Sequence, residues 1–136
     1  MSISKYFTWK EALWLPQWKR EANASDGLND EIRSNLEHLF NLMDLVREHF
    51  NAPIVVHVAH RPAEYNKLVK GAKNSAHLYG MAVDFHVKGL TCEAVRKTLI
   101  PKLEELGMRM EDLPGSNWVH LDTRAPATKR PRFFKP

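Results

Sequence analysis

The chain reads as an α+β domain, with helices packed on one face of a small, mainly antiparallel sheet. Three observations predict it. Leu28, Ile32, Leu36, Leu39, Met43, Val46 and Phe50 recur at three- and four-residue spacing, the apolar stripe of one long amphipathic helix. The β-branched run Ile54-Val-Val-His-Val-Ala59 reads as a buried strand. Helical and strand periods then alternate to the end without repeats or low-complexity segments, which calls for a sheet covered by helices.

In chain order, Thr8 can cap a short helix through Leu13 that Pro16 stops. Asp26 or Asn29 can start the long helix, and Pro53 opens the first strand. Ala63 to Val69 suits a short helix after Arg61-Pro62, and Lys70 to Ser75 a loop. Met81 to Val87 forms a second strand. Thr91 caps a helix whose Val95, Leu99, Leu103 and Leu106 face inward, bent at Pro101. Met108 to Met110 and Asn117 to Leu121 complete the sheet as short strands, joined by Glu111-Asp112-Leu113-Pro114-Gly115-Ser116.

Composition narrows the class. At 136 residues and 43% hydrophobic, the chain buries one core, so 1–136 is expected to be a single domain with a basic tail over about 125–136. The lone Cys92 excludes an internal disulfide and a multi-thiolate metal site. No stretch approaches the roughly 20 apolar residues of a membrane span. The start, Met-Ser-Ile-Ser-Lys-Tyr-Phe-Thr, lacks the apolar core of a secretory signal, so we expect synthesis in the cytoplasm and no export device. A formal charge of +4 and a pI near 9.3 favour anionic material such as nucleic acid, anionic lipid or bacterial cell wall, although Lys129, Arg130, Arg132 and Lys135 concentrate much of it in a tail expected to be solvated. Arg96, Lys97 and that tail do not amount to the extended platform of alternating aromatic and basic side chains that single strands need, so no nucleic-acid partner is expected. A monomer is the default.

The residues that carry chemistry are His77 and Asp84, in Ser75-Ala-His77-Leu-Tyr-Gly80-Met-Ala82-Val-Asp84, and His120, in Trp118-Val-His120-Leu-Asp122. Two imidazoles and a carboxylate meet the needs of one catalytic zinc per chain, which takes three protein ligands and keeps a position for water. His77 falls before a strand, Asp84 within it and His120 in another, so the site forms only when the sheet assembles. Strand alternation places Ala82, Asp84 and His86 on one face, and sends Asp122 to the same side as His120. Gly80 and Ala82 are expected to remove bulk between the first two ligands. Among the other histidines, His38 and His49 suit the exposed face of the long helix, and His57 the strand core or its back face. His60 either lines the pocket or stays structural; His86 either supports a ligand or points outward.

These motifs, with Ala59-His-Arg61-Pro-Ala-Glu-Tyr65-Asn66 and Lys70-Gly71-Ala72-Lys-Asn74-Ser75 before them, resemble the D-Ala-D-Ala carboxypeptidase and dipeptidase family of zinc peptidases. The wider group includes lysostaphin-like endopeptidases and the hedgehog signalling domain. The similarity runs from Tyr6-Phe7-Thr8 to Arg124. It implies a hedgehog/D-Ala-D-Ala peptidase-like fold, zinc held by His77, Asp84 and His120, and a peptide of bacterial peptidoglycan as substrate. It implies that Arg61 faces the substrate carbonyl or carboxylate and that Ser75 lines the substrate pocket, against duller roles in pairing Glu64 and capping a turn.

The chain departs from the family in two places: the tyrosine-arginine-serine pattern has become His60-Arg61-Pro62, which leaves the pocket's selectivity open, and the second departure concerns the proton shuttle. Many members carry an acidic residue three positions before the last ligand, where it shuttles the proton; here that position is Asn117. Asp122 is the nearest substitute by strand parity, unless it orients a ligand histidine; Glu111 and Asp112 are loop alternatives. Two readings follow: a peptidoglycan peptidase, such as a phage lysin released or delivered by another route, or a zinc-containing homologue that lost catalysis and binds the wall.

Overall fold

The computed structural model describes residues 1–126 and 131–136; Lys129 and Arg130 of the expected tail lie outside the described residues. Thr8 caps α1 (Trp9–Leu13), its hydroxyl accepting from Glu11 N while the Glu11 carboxylate returns a bond to Thr8 N. A two-residue hairpin follows, β1 (Trp14–Leu15) with β2 (Arg20–Glu21), too short for its periodicity to announce it. Asn29 caps α2 (Asp30–Phe50), and Asn51 closes it in the left-handed region at φ 48°. The N-terminal segment is pinned to α2 at Asp44, whose carboxylate accepts from Ser4 Oγ and from Lys5 N and Tyr6 N.

The main sheet is built from β3 (Ile54–Val58), β4 (Ala82–Val87), β5 (Arg109–Glu111), β6 (Val119–Asp122) and β7 (Phe133–Phe134), in the order β3-β4-β6-β5-β7. All neighbours are antiparallel except β5 and β7, which run parallel. The helices between them are α3 (Ala63–Leu68), α4 (Cys92–Leu99) and α5 (Leu103–Leu106). Pro101 does more than bend the expected third helix: a 3-10 turn at Ile100–Lys102 separates α4 from α5.

One face of the sheet is apolar and the other carries chemistry. Val83, Phe85 and Val87 of β4, Met110 of β5, and Val119 and Leu121 of β6 are fully buried in one cluster with Leu36, Leu39, Phe40, Met43 and Val46 of α2 and Val95 and Leu99 of α4. The alternate residues, Asp84, His86, His120 and Asp122, therefore face the other way. The tail differs from the expectation: Phe133 and Phe134 add an edge strand beside Met110 and Glu111, because two phenylalanines gain more from sheet pairing and burial than from water. Among the described residues no helix is long and apolar enough to cross a membrane.

Candidate metal centre

Strand register assembles the centre. Asp84 and His120 are direct partners across β4 and β6, and Ala82 stands opposite Asp122. Arg109 of β5 pairs with Asp122, and continuing that register by one step puts Glu111 opposite His120. His77 arrives from a 3-10 turn, Ala76–Tyr79, started by Ser75, whose Oγ accepts from His77 N at 3.2 Å. The main chain after β3 anchors the turn, since Arg61 N donates to His77 O at 2.9 Å.

The three expected ligands meet. One donor atom each from His77, Asp84 and His120 lies within 4.8 Å of the others. His77 Nε2 is 3.2 Å and His120 Nδ1 3.0 Å from Asp84 Oδ1. Zinc bonds of about 2.0–2.1 Å in a tetrahedron imply ligand separations of about 3.3 Å, close to the two spacings seen around Asp84. The far nitrogens test the fit further. His77 Nδ1 donates to Ala59 O at 2.6 Å, and His120 Nε2 to Asp122 Oδ2 at 2.9 Å. Each imidazole is thus pinned through one nitrogen by a carbonyl or carboxylate and turns the other toward Asp84, the usual orientation for metal-bound histidine.

Electrostatics point the same way. His120 Nδ1 also lies 3.2 Å from Glu111 Oε1, so three carboxylates surround one buried imidazole. Burial opposes its charging, but the bonds to Asp122 and Asp84 and the Glu111 charge prevail and push it up to about 9. For Asp84, burial likewise works against ionisation, yet the His77 charge and the two imidazole bonds hold it well below the usual carboxylate range. A site that raises its base and lowers its acid in this way favours a cation.

Asp122 is fully committed. Its oxygens take both Arg109 Nε at 2.8 Å and Nη2 at 3.0 Å, besides His120 and Arg124 N. Arg109 in turn lies against the Phe134 ring, 4.2 Å from its centroid. Glu111 instead makes no second ion pair among the described residues, and it lines a cleft of about 260 Å³ together with Arg61, Ser75, His77, His120 and Arg124.

Arg61 enters this cleft without pairing to Glu64, which meets Lys67 at 3.7 Å. Its Nε has no hydrogen-bond partner. Gly71 packs so closely on it that a Cβ there would collide with the Arg61 guanidinium and the Asn66 side chain, whose Nδ2 donates to Ala72 O at 3.0 Å. Ser75 both caps its turn and lines the cleft.

Other positions differ from their expected roles. Asn117 lines a separate groove with His86, Thr91 and Cys92, away from the ligands. Asp112 is absent from the residues lining the cleft. His60 is buried beneath the site, with Nδ1 3.2 Å from His77 O, rather than in the cleft wall. His57 sits on the site's side of the sheet and meets His86, Nε2 to Nδ1, at 2.6 Å. Gly80 is needed at φ +71° where a Cβ would strike Ile32 O and Leu36 of α2, so it fits the turn to the helix rather than clearing space between ligands. Sequence reasoning missed Arg109 altogether; its signal was the alternation Arg109-Met110-Glu111, with the apolar residue inward.

A family model described as Peptidase M15 matches residues 11–122. The chain belongs to this family of zinc metallopeptidases, which agrees with the fold and with the ligand cluster. No curated protein matches the chain.

Proposed function

We propose that the protein is a zinc-dependent peptidase hydrolysing peptide bonds in bacterial peptidoglycan, in stem peptides or cross-links. The observation that carries this reading is the convergence of His77, Asp84 and His120 beside a further carboxylate, Glu111, which pairs only with His120 among the described residues and lines the wall of an open cleft. Zinc supplies there a Lewis acid and a water whose pKa falls to about 7. Glu111 carries the proton from the attacking water to the leaving amine. Arg61, which lines the cleft and forms no ion pair among the described residues, faces the scissile carbonyl as negative charge develops on oxygen. Asp122 positions His120 and takes no proton, since its oxygens are occupied by Arg109 and His120. On this reading Glu111 is the shuttle and Asp122, expected from the sequence to take that role, has a positioning one.

The alternative of a wall-binding homologue without activity rested on Asn117. Asn117 no longer argues for it, because a carboxylate reaches His120 from β5 instead. Zinc content of the purified protein, followed by mass spectrometry of peptidoglycan digests with and without chelator, tests the proposal. New amine-terminated fragments that vanish with chelator are expected; bound zinc with no cleavage of several wall chemistries would sink it and revive the alternative.

A further inference from the structure

β7 runs along the outer side of β5, the strand that carries both Arg109 and Glu111. Without it β5 would be a three-residue edge strand with its outward N–H groups left to water. Instead Met110 N donates to Arg132 O at 2.8 Å and Asp112 N to Phe134 O at 2.6 Å, so the two bonds bracket Glu111. Register sets Phe133 beside Met110 and Phe134 beside Glu111, and alternation sends the two rings to opposite faces. Phe133 packs on the core, whereas Phe134 lines the cleft on the face that carries the ligands. β7 lies outside the residues matched to the family, and its part in the centre follows from this chain's own contacts.

The Phe134 ring covers the flat face of the Arg109 guanidinium, 4.2 Å from ring centroid to guanidinium carbon. The other cation–π contacts among the described residues stand at 4.8 to 5.5 Å, so this one is the tightest. The Arg109 side chain is only 12% exposed, and such a contact gains strength as water is excluded. Arg109 spends the plane of its fork on Asp122, through Nε at 2.8 Å and Nη2 at 3.0 Å. Two in-plane bonds fix the separation of the groups but leave the guanidinium free to tilt out of the carboxylate plane. A ring stacked on its weakly hydrated face removes that freedom. Asp122 Oδ2 is also the acceptor for His120 Nε2 at 2.9 Å, so any tilt of Arg109 passes to the ligand imidazole.

We infer that Phe134 is a positioning residue of the metal centre, holding His120 in place through Arg109 and Asp122. The inference concerns the metal and not the peptide, and so goes beyond the peptidase reading. Chelator competition on the full chain tests it, together with NMR of the Arg109 Nε–H and His120 Nε2–H protons in the metal-free protein. Phe134→Leu keeps an apolar side chain on the strand and removes only the π face. It should weaken zinc roughly 2- to 30-fold, the equivalent of one cation–π contact, and speed exchange of both protons with water. Phe134→Tyr, which keeps the ring, should match the wild type in both. Phe133→Ala, which removes the ring on the core side of the same strand, should lower Tm and leave zinc affinity unchanged. Undiminished affinity in Phe134→Leu overturns the inference. So does equal weakening in Phe133→Ala, which would credit the strand rather than the ring, and so does a Phe134→Tyr variant as weak as Phe134→Leu. Wild-type protein that takes up no zinc overturns it together with the metal centre; the expected losses without digestion of peptidoglycan would leave it standing and remove the peptidase reading alone.

Discussion

Two histidine pairs occupy the same face of the sheet and differ in what surrounds them. His77 and His120 have ring centroids 5.2 Å apart, and His57 and His86 4.9 Å. In the first pair each far nitrogen is pinned, to Ala59 O and to Asp122, and the near nitrogens converge on Asp84. In the second pair the imidazoles satisfy one another, and among the described residues no carboxylate forms an ion pair with either. The charges follow: His120 is raised to about 9 in the metal-free protein, whereas His57 is lowered, first by burial and then by the His86 charge. Imidazole density does not make a metal centre. Carboxylates and fixed ring orientation do.

The largest expected effect comes from deleting a ligand. His120→Ala should remove stoichiometric zinc, measured by metal analysis after gel filtration, while His86→Ala keeps it. Equal loss in both would erase the distinction between the pairs. Glu111→Gln should retain zinc and lower kcat by roughly 10²- to 10⁴-fold, the usual contribution of an acid-base group; unchanged turnover of peptidoglycan fragments would return the shuttle to another residue. Asp122→Asn should weaken zinc about 10- to 100-fold in a chelator competition, as expected when the group orienting a ligand histidine loses its charge. Undiminished affinity with lost turnover would instead restore Asp122 as the shuttle.

The smallest effect concerns the second pair and pH. Because His57 binds its proton less readily in the folded protein than in the unfolded chain, its contribution to stability is complete above the ordinary histidine range, about 6.5. It is lost as pH falls below that range through the lowered folded value. His57→Gln should therefore flatten the fall of Tm between about pH 7 and pH 5. A curve that keeps the wild-type slope would show that the pair carries no such linkage.

Long elements and the ligand triad were legible in the amino-acid order because their signals are local. The stripe over α2, the Thr8 and Asn29 caps, and the His77-to-Asp84 motif each lie within one element or turn. Glu111 was placed in a loop because β5 was expected to end at Met110, and the one-residue extension moves its carboxylate from solvent to His120. The role of Gly80 was misread for a similar reason: its close neighbour is α2, about 45 residues earlier in the chain.

By itself, then, the sequence determined the α+β class, the order of most elements and the residues able to bind zinc, since periodicity and spacing act over a few residues. Only the tertiary structure decided where each carboxylate stands and what it touches. Asp122 and Glu111 stand on adjacent strands, and pairing of β5 with β6 turns the first toward Arg109 and the far side of His120, the second toward the open cleft. Cross-strand register is a property of distant segments meeting, and no local pattern encodes it.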